Sequence, residues 1–304
     1  RLLQQQVAAT ADQAYNDVLL AEQHRRDLTE ADSLSRDCLL KTQARFNAGT
    51  VPRLDVIKAQ VDVAQGTNDL IANARDISNA RAALNRIVGR PLGSAIVLLD
   101  SLDVPLALPD LDAIEQKALM VRPEIADIEA QQRAARLNSR LVREQSILPD
   151  ITLSAYRDFK GDQGTLYSAG LAFPIPVFLW QHTRGDFAET QHRELELDAA
   201  ARDVRAAIGQ DVRTAYATAD AAERQVIYIR DQLLPSAREA YRVATVSYGL
   251  GGLSALDVLD ARRSLLDAEN QYAEALAAAN SARADLERAA GTPLSTFAPG
   301  ASRE

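Results

Sequence analysis

Cysteine is almost missing from this 304-residue chain. Cys38 stands alone, which excludes an internal disulfide framework and a cysteine-ligated zinc site. The only histidines are His24, His182 and His192, too few for a His-rich metal centre. Aromatic residues are thin, with one Trp, eight Tyr and six Phe, which argues against a sandwich or Rossmann-type core. No apolar run approaches the ~18 residues of a transmembrane helix. Basic charge is outnumbered, 34 Lys and Arg against 42 Asp and Glu, and the net charge of -8 argues against a phosphate-backbone partner. Glycine-rich phosphate loops, HExxH, a nucleophile elbow and a Cys/His pair are all missing, so nothing supports catalysis. The opening Arg1-Leu2-Leu3-Gln4-Gln5-Gln6 carries no signal-peptide core and reads as a helix already in progress.

What the chain has is alanine, 54 residues of 304, and a long-period repeat. Such a composition points to long, closely packed helices. A shift of 202 residues lays Phe46–Leu92 on Tyr248–Leu294 without a gap, with 14 identities. Shared positions include Gly49/Gly251, Leu54-Asp55-Val56/Leu256-Asp257-Val258, Arg81/Arg283 and Gly89/Gly291. Upstream, Ala14-Tyr15 matches Ala215-Tyr216 at an offset of 201. The chain is a duplication.

Within each copy the apolar period is seven. Val258, Leu265, Tyr272, Ala279 and Leu286 form one column and Ala261, Ala268, Ala275, Ala282 and Ala289 another. Val56, Val63, Leu70, Ile77 and Leu84 repeat the first in copy one. A strict heptad imposes a left-handed supercoil, and a column of small residues lets the partner backbone approach. A third apolar column (Ile57, Ala64, Ile71; Leu259, Leu266, Ala273) predicts that each helix packs on two neighbours. Glycines 249, 251 and 252 end one helix, and Ser254 caps the next. Gly49-Thr50-Val51-Pro52 does the same in copy one, with Pro52 suited to a first helical turn. Pro235 predicts a kink. Each copy is expected to be a long antiparallel helical hairpin.

The predicted organisation is a first repeat over 1–93, a mixed connector over 94–121, a second repeat over 122–294 and a tail over 295–304. In the second repeat a helix from Arg122-Pro123-Glu124 to about Ile147 precedes the only β signal. There, over 149–178, the period drops to two. Ile151, Leu153 and Ala155 alternate with Thr152, Ser154 and Tyr156, and Tyr167, Ala169, Leu171, Phe173 and Ile175 with Ser168, Gly170 and Ala172. Arg157–Thr165 reads as a solvated loop between them. Runs of about nine residues match a tilted membrane strand, with Phe178 and Trp180 where an interfacial girdle would sit. An ordinary hairpin packed on helices, with Phe173 and Trp180 as core, fits the same alternation. A lone hairpin in lipid leaves two open edges, so it must pair with other strands.

These features together resemble the TolC-type outer-membrane efflux channels. The residues that carry the likeness are Arg45-Phe46-x-x-Gly49-x4-Leu54-Asp55-Val56 and Tyr248-x-x-Gly251-x4-Leu256-Asp257-Val258-Leu259-Asp260-Ala261. Arg122-Pro123-Glu124, Leu148-Pro149-Asp150 and Phe173-Pro174-Ile175-Pro176-Val177-Phe178 add to it. The strand exit and the Leu286–Gly291 ending look most like members that serve heavy-metal resistance-nodulation-division pumps. The resemblance implies a mainly α fold of two long coiled-coil hairpins plus a transmembrane-type β-hairpin. It also implies a homotrimer in the outer membrane with most of the chain in the periplasm, and no cofactor. The implied partners are a periplasmic adaptor, an inner-membrane pump reached through it, and outer-membrane lipid. Family subunits carry two strand pairs; this chain carries one, so about 80 residues are expected to be absent before Arg1, and the chain is N-terminally incomplete relative to the family. Six strands from three such chains are not expected to close the family's barrel.

For individual residues two readings stay open. Asp257 and Asp260 match the positions of a carboxylate gate in relatives, yet Ser254-x-x-Asp257 also spells a helix cap. Asp55 fits the same turn, with Lys58 in place of the second acid. The turns bearing Gly49, Leu54, Asp55, Gly251, Gly252 and Leu256 are the expected adaptor-docking sites. Cys38 reads as a small buried residue, His182 and His192 as surface or interfacial ones, and the other acids as solvated faces. No metal site is expected. The competing function is a soluble coiled-coil scaffold or the adaptor itself; two hairpins without Gly-rich flanking strands disfavour the adaptor, and membrane-length alternation disfavours the scaffold.

Overall fold

The computed structural model describes residues 2–98, 102, 107–147, 152–159, 165–172 and 179–297. Seven α-helices and two strands run in the order α1 (Leu2–Asn47), α2 (Arg53–Val88), α3 (Leu111–Val121), α4 (Pro123–Ile147), β1 (Thr152–Phe159), β2 (Thr165–Ala172), α5 (Leu179–Tyr228), α6 (Leu234–Gly249) and α7 (Ala255–Ala290) among the described residues. A π-helical turn, Ile229–Leu233, joins α5 to α6. Two compact units result, one of residues 1–118 and 210–304, the other of residues 119–209.

In the first unit the repeat is drawn in the backbone. The residues with positive φ among those described are Gly49 and Gly89 in copy one and Gly251 and Gly291 in copy two, two pairs at the 202-residue spacing. Each first glycine turns a hairpin and each second one caps its return helix, in a left-handed conformation that glycine adopts without strain. One ion pair is duplicated as well. Glu22 meets Arg81 at 2.5 Å across α1 and α2, and Glu223 meets Arg283 at 3.0 Å across α5 and α7. Arg81 and Arg283 lie 202 apart, but Glu22 and Glu223 lie 201 apart.

The π-turn explains that slip of one. It falls after Glu223 and before the 202-offset segment, and its Leu234 N–H bonds the Ile229 carbonyl, five residues back. A π-turn is how a helix absorbs one inserted residue without losing its axis. Pro235 follows directly, in the first turn of α6. The position where a kink is expected thus lies directly after this π-helical turn.

The heptad columns form the core. Val258, Leu265, Ala279 and Leu286 are buried with Ala268, Ala275, Ala282 and Ala289, as are Val56, Ala59, Ile77 and Leu84 in copy one. Copy one packs less tightly in its companion column, where Asn73 is buried and donates to the Ala21 carbonyl at 3.0 Å. Pro52 is the cap of α2, one position earlier than expected, with extended backbone. The connector holds more order than a mixed segment. Asp110 caps α3 by accepting from Ala113 N–H at 3.2 Å, Ile114 and Ala118 are fully buried, and Glu115 pairs with Arg213 at 2.8 Å.

In the second unit Ile128 of α4 packs on Leu197 and Ala201 of α5. The strands pair antiparallel, Thr152 opposite Ala172 through Phe159 opposite Thr165. Arg157–Phe159 and Thr165 therefore belong to strands and not to a loop. Alternation extends through them, and the charged pair Arg157-Asp158 misled the boundary. The Leu148-Pro149-Asp150 and Phe173–Phe178 segments lie outside the described residues.

Candidate functional site

The turn of the second repeat shows how its residues are held. Gly251 (φ +82°) closes the turn, and Gly252 N–H bonds the Ser247 carbonyl at 2.9 Å. Ser254 then caps α7 in a reciprocal box: its hydroxyl accepts from Asp257 N–H at 3.3 Å, and Asp257 Oδ2 accepts from Ser254 N–H at 2.9 Å. The Ser254 hydroxyl also donates to Asp257 at 2.7 Å. These bonds hold the Asp257 carboxyl below the usual carboxylate range. Capping is thus realised at Asp257. Asp260, one turn on, is exposed and at the edge of pairing with Arg263, at 4.0 Å. In copy one, Gly49 (φ +73°) and the first-turn acid Asp55 recur, but Pro52 replaces the capping serine and makes no side-chain cap. Leu54 and Leu256 are exposed beside the turns, as is Leu250.

Behind this turn α1 locks onto the second repeat. Arg45 Nη1 donates to the Tyr248 carbonyl at 2.6 Å, and its guanidinium lies over the Tyr248 ring at 4.3 Å. The Tyr248 hydroxyl reaches Thr42 at 3.0 Å. Cys38 is buried with Val258 and Leu259, as expected, and burial pushes its thiol up. Deeper still, Arg262 of α7 pairs with Asp62 of α2 at 2.5 Å, the two side chains 8% and 2% exposed. Arg262 also donates to the Ala31 carbonyl at 3.4 Å. This buried pair was not anticipated, because the acids away from the turns were read as solvated.

A second charged cluster lies along the same seam. A cavity of about 300 Å³ is lined by Asp27 and Glu30 of α1, Arg238 of α6, and Glu269, Tyr272 and Leu276 of α7, among others. Burial raises the Glu269 carboxyl, Asp27 and Glu30 raise it further, and Arg238 at 3.7 Å only partly offsets them. Burial likewise raises Asp27, against a hydrogen bond from Gln23 and the nearby His24 and Arg26. Carboxylates raised in the folded state bind protons more tightly there, so this seam contributes most below the unfolded value of about 4 and loses that contribution as pH rises through the folded values. Glu269→Gln is expected to flatten the stability profile between pH 4 and neutrality and to raise stability at neutral pH, as read by chemical denaturation at several pH values. A profile identical to the parent's would show that the cluster is fully solvated.

The β-hairpin carries two unlike faces. The register puts Leu153, Ala155, Arg157 and Phe159 on one face with Leu171, Ala169, Tyr167 and Thr165. Thr152, Ser154, Tyr156 and Asp158 share the other with Ala172, Gly170, Ser168 and Leu166. Leu153, Phe159, Tyr167 and Leu171 are all exposed, and neither edge is paired among the described residues. Of the expected interface aromatics, Phe178 lies outside the described residues. Trp180 opens α5, with its side chain outside them. His192 is exposed, as expected. No helix among the described residues is long and apolar enough to cross a membrane, and no cluster of three metal-ligating side chains occurs among them.

Duplicated helical hairpins with glycine turns, together with a strand pair that has one apolar face, define a mainly α class of protein with a small β-hairpin. The profile of the outer membrane efflux protein family matches residues 114–292, more than half of the chain, and the chain belongs to that family. It is 24% identical over 291 residues to the cobalt-zinc-cadmium resistance protein CzcC of Cupriavidus metallidurans, covering 94% of this chain and 68% of that one. To the outer membrane protein TolC of Vibrio cholerae it is 24% identical, covering 90% of this chain and 64% of TolC. The fold superposes on the outer-membrane channel OprN with a TM-score of 0.77 at 19% identity, over 96% of this chain and 67% of that one. The chain therefore spans about two thirds of the length of these proteins. Members of this family are channels and not enzymes.

Proposed function

We propose that this chain is the outer-membrane component of a tripartite efflux system, a passive export duct fed by an inner-membrane pump through a periplasmic adaptor. In this reading three copies assemble, the helical hairpins stand in the periplasm, and the β-hairpin joins a lipid-embedded barrel. The observation that carries it is the two-faced hairpin, neither edge of which is paired among the described residues, with its large apolar side chains bare. A soluble scaffold has no use for such a face, and open strand edges need partners. The duplicated helical hairpins share the fold of the channel OprN over the part that the chain spans. CzcC is named for cobalt, zinc and cadmium resistance, which makes metal cations the first cargo to assay.

The membrane half of the reading has a direct test. Leu171→Arg puts a charge on the apolar face, at an expected cost of about 2–4 kcal/mol near the bilayer midplane. Ser168→Arg puts the same charge on the polar face and is expected to be tolerated. Outer-membrane fractionation of the two variants should show Leu171→Arg lost from the membrane and Ser168→Arg retained. Equal retention would remove the hairpin from lipid.

Docking of an adaptor is assigned to the turns around Gly49, Leu54 and Asp55 and around Gly251, Gly252 and Leu256. The exposed Leu54, Leu250 and Leu256 provide the apolar contact there. Any side chain at Gly251 would be strained by its positive φ, so a bulky change there confounds folding with docking. Leu250→Asp probes the surface more cleanly.

A further inference from the structure

The two duplicated ion pairs have unlike surroundings. In the first repeat the Glu22 carboxylate is shared by two guanidinium groups, Arg81 on one oxygen at 2.5 Å and Arg25 on the other at 2.9 Å. Arg26, one turn beyond Glu22 on α1, is exposed and has no ion pair among the described residues. Arg81 Nε is buried and finds no hydrogen-bond partner among them. Three guanidinium groups thus stand against one carboxylate, in a chain whose net charge is -8.

All four side chains line a cavity of about 230 Å³ that α1, α2 and the segment after α2 enclose. Much of the remaining lining is apolar. Leu19 is buried, and Ile96 and Leu98 line the cavity while packing on the cluster of Ala14, Val18 and Leu84. A guanidinium is planar and always charged, and its parallel N–H donors match the two oxygens of a carboxylate. Apolar walls beside it favour an acid that carries a hydrocarbon group. Glu22 shows the chemistry in place, a carboxylate already held between two arginines.

The second repeat is an internal control. At the offset of 201, Glu223 keeps its partner Arg283. Arg25 and Arg26 become Val226 and Ile227, and Leu19 becomes Asp220. Arg224, the image of Gln23, is taken up by that Asp220 at 2.8 Å. The pair alone suffices to join the helices there. The added cations and the apolar wall belong to the first repeat.

We propose that this pocket binds a small organic carboxylate bearing an apolar group. Arg25, Arg26 and the unpartnered N–H of Arg81 meet its carboxylate, and Leu19, Ile96 and Leu98 meet its hydrocarbon. The site lies within the first compact unit and does not depend on the duct reading, which Leu171→Arg judges separately.

The test is calorimetric titration of the purified full chain with N-acetylleucine. Binding is expected with a dissociation constant of about 1 mM or below, weakening as salt is raised. N-acetylleucinamide lacks the charge and acetate lacks the hydrocarbon, so each should bind at least about tenfold more weakly. Arg25→Gln with Arg26→Gln should weaken N-acetylleucine by at least about tenfold. Arg224→Gln, in the second repeat, should change nothing. All three positions are exposed, so circular dichroism should show parental helicity in both variants. Acetyl-Ala-Ala-Leu carries the same acid on a peptide end. Tighter binding than N-acetylleucine supports a chain terminus as the natural ligand, and weaker binding supports a free acid. No binding of N-acetylleucine, equal binding of its amide, or unchanged binding in the double arginine variant overturns the site. An equal loss in Arg224→Gln also overturns it, because net charge alone would then set the affinity.

Discussion

Arg262→Ala is expected to cost about 3–5 kcal/mol of stability, read as a lowered denaturant midpoint with an unchanged slope. The size follows from what the change leaves behind. Asp62 is 2% exposed, and its Oδ2 already finds no hydrogen-bond partner among the described residues. Without the guanidinium the whole carboxylate is a buried charge with nothing opposite it. Asp62→Ala strands Arg262 in the same way, and Arg262 Nε likewise finds no partner among the described residues. The double change Asp62→Leu with Arg262→Met removes both desolvation penalties and should recover most of the loss. That recovery separates a charge effect from a packing effect. The duplicated pairs Glu22–Arg81 and Glu223–Arg283 are more exposed, so breaking either should cost only about 1 kcal/mol. If Arg262→Ala behaves like those, water reaches the pair and the seam it joins is looser than the distances imply.

Repeat and heptad were legible because both are properties of order along the chain. The glycine pairs, the hairpins and the capping serine follow from residue types whose conformational needs are local. The π-turn was legible only in part. The change of offset from 201 to 202 was visible, but its meaning as an inserted residue within an unbroken helix needed the hydrogen bond from Leu234 back to Ile229. Asp62 could not have been found. It sits in a heptad column with Asp55, Asp69 and Asp76, all acids, and only contact with α7 buries the one and not the others. Arg262 left a signal that was passed over: its column, Ala255, Arg262, Glu269 and Leu276, is apolar at both ends. A charge in such a column faces a partner, and both Arg262 and Glu269 do. The helix α3 was missed because prolines 105 and 109 stand before it in a short connector.

Neutralising the carboxylates at the turn should release cation block without loosening the helix, and this separates two roles that one residue can combine. In an assembled trimer Asp257 and Asp260 would bring six carboxylates toward one axis, and rings of acids attract cations. The capping box fixes how the test must be built. Alanine at Asp257 would remove the charge and the cap together, because Asp257 Oδ2 accepts from Ser254 N–H. Asp257→Asn with Asp260→Asn keeps an oxygen acceptor at that position and removes only charge. Ser254→Ala does the reverse: it costs about 1 kcal/mol of cap stability and leaves both charges. Single-channel recording with divalent cations on the periplasmic side should show half-block moving to at least about tenfold higher concentration in the double asparagine variant. Ser254→Ala should keep the parental block. The opposite pattern, block lost with the cap and kept without the charges, would make Asp257 a helix cap and no part of a gate. The bonds from Ser254 also predict how acid acts on the site. They hold the Asp257 carboxyl low, so within one chain its charge persists well into acidic pH. Like charges converging on a three-fold axis push the other way. If block by divalent cations weakens as pH falls through about 5–6, the carboxylates feel one another and the ring is formed. If it holds down to about pH 4, each Asp257 answers only to its own Ser254.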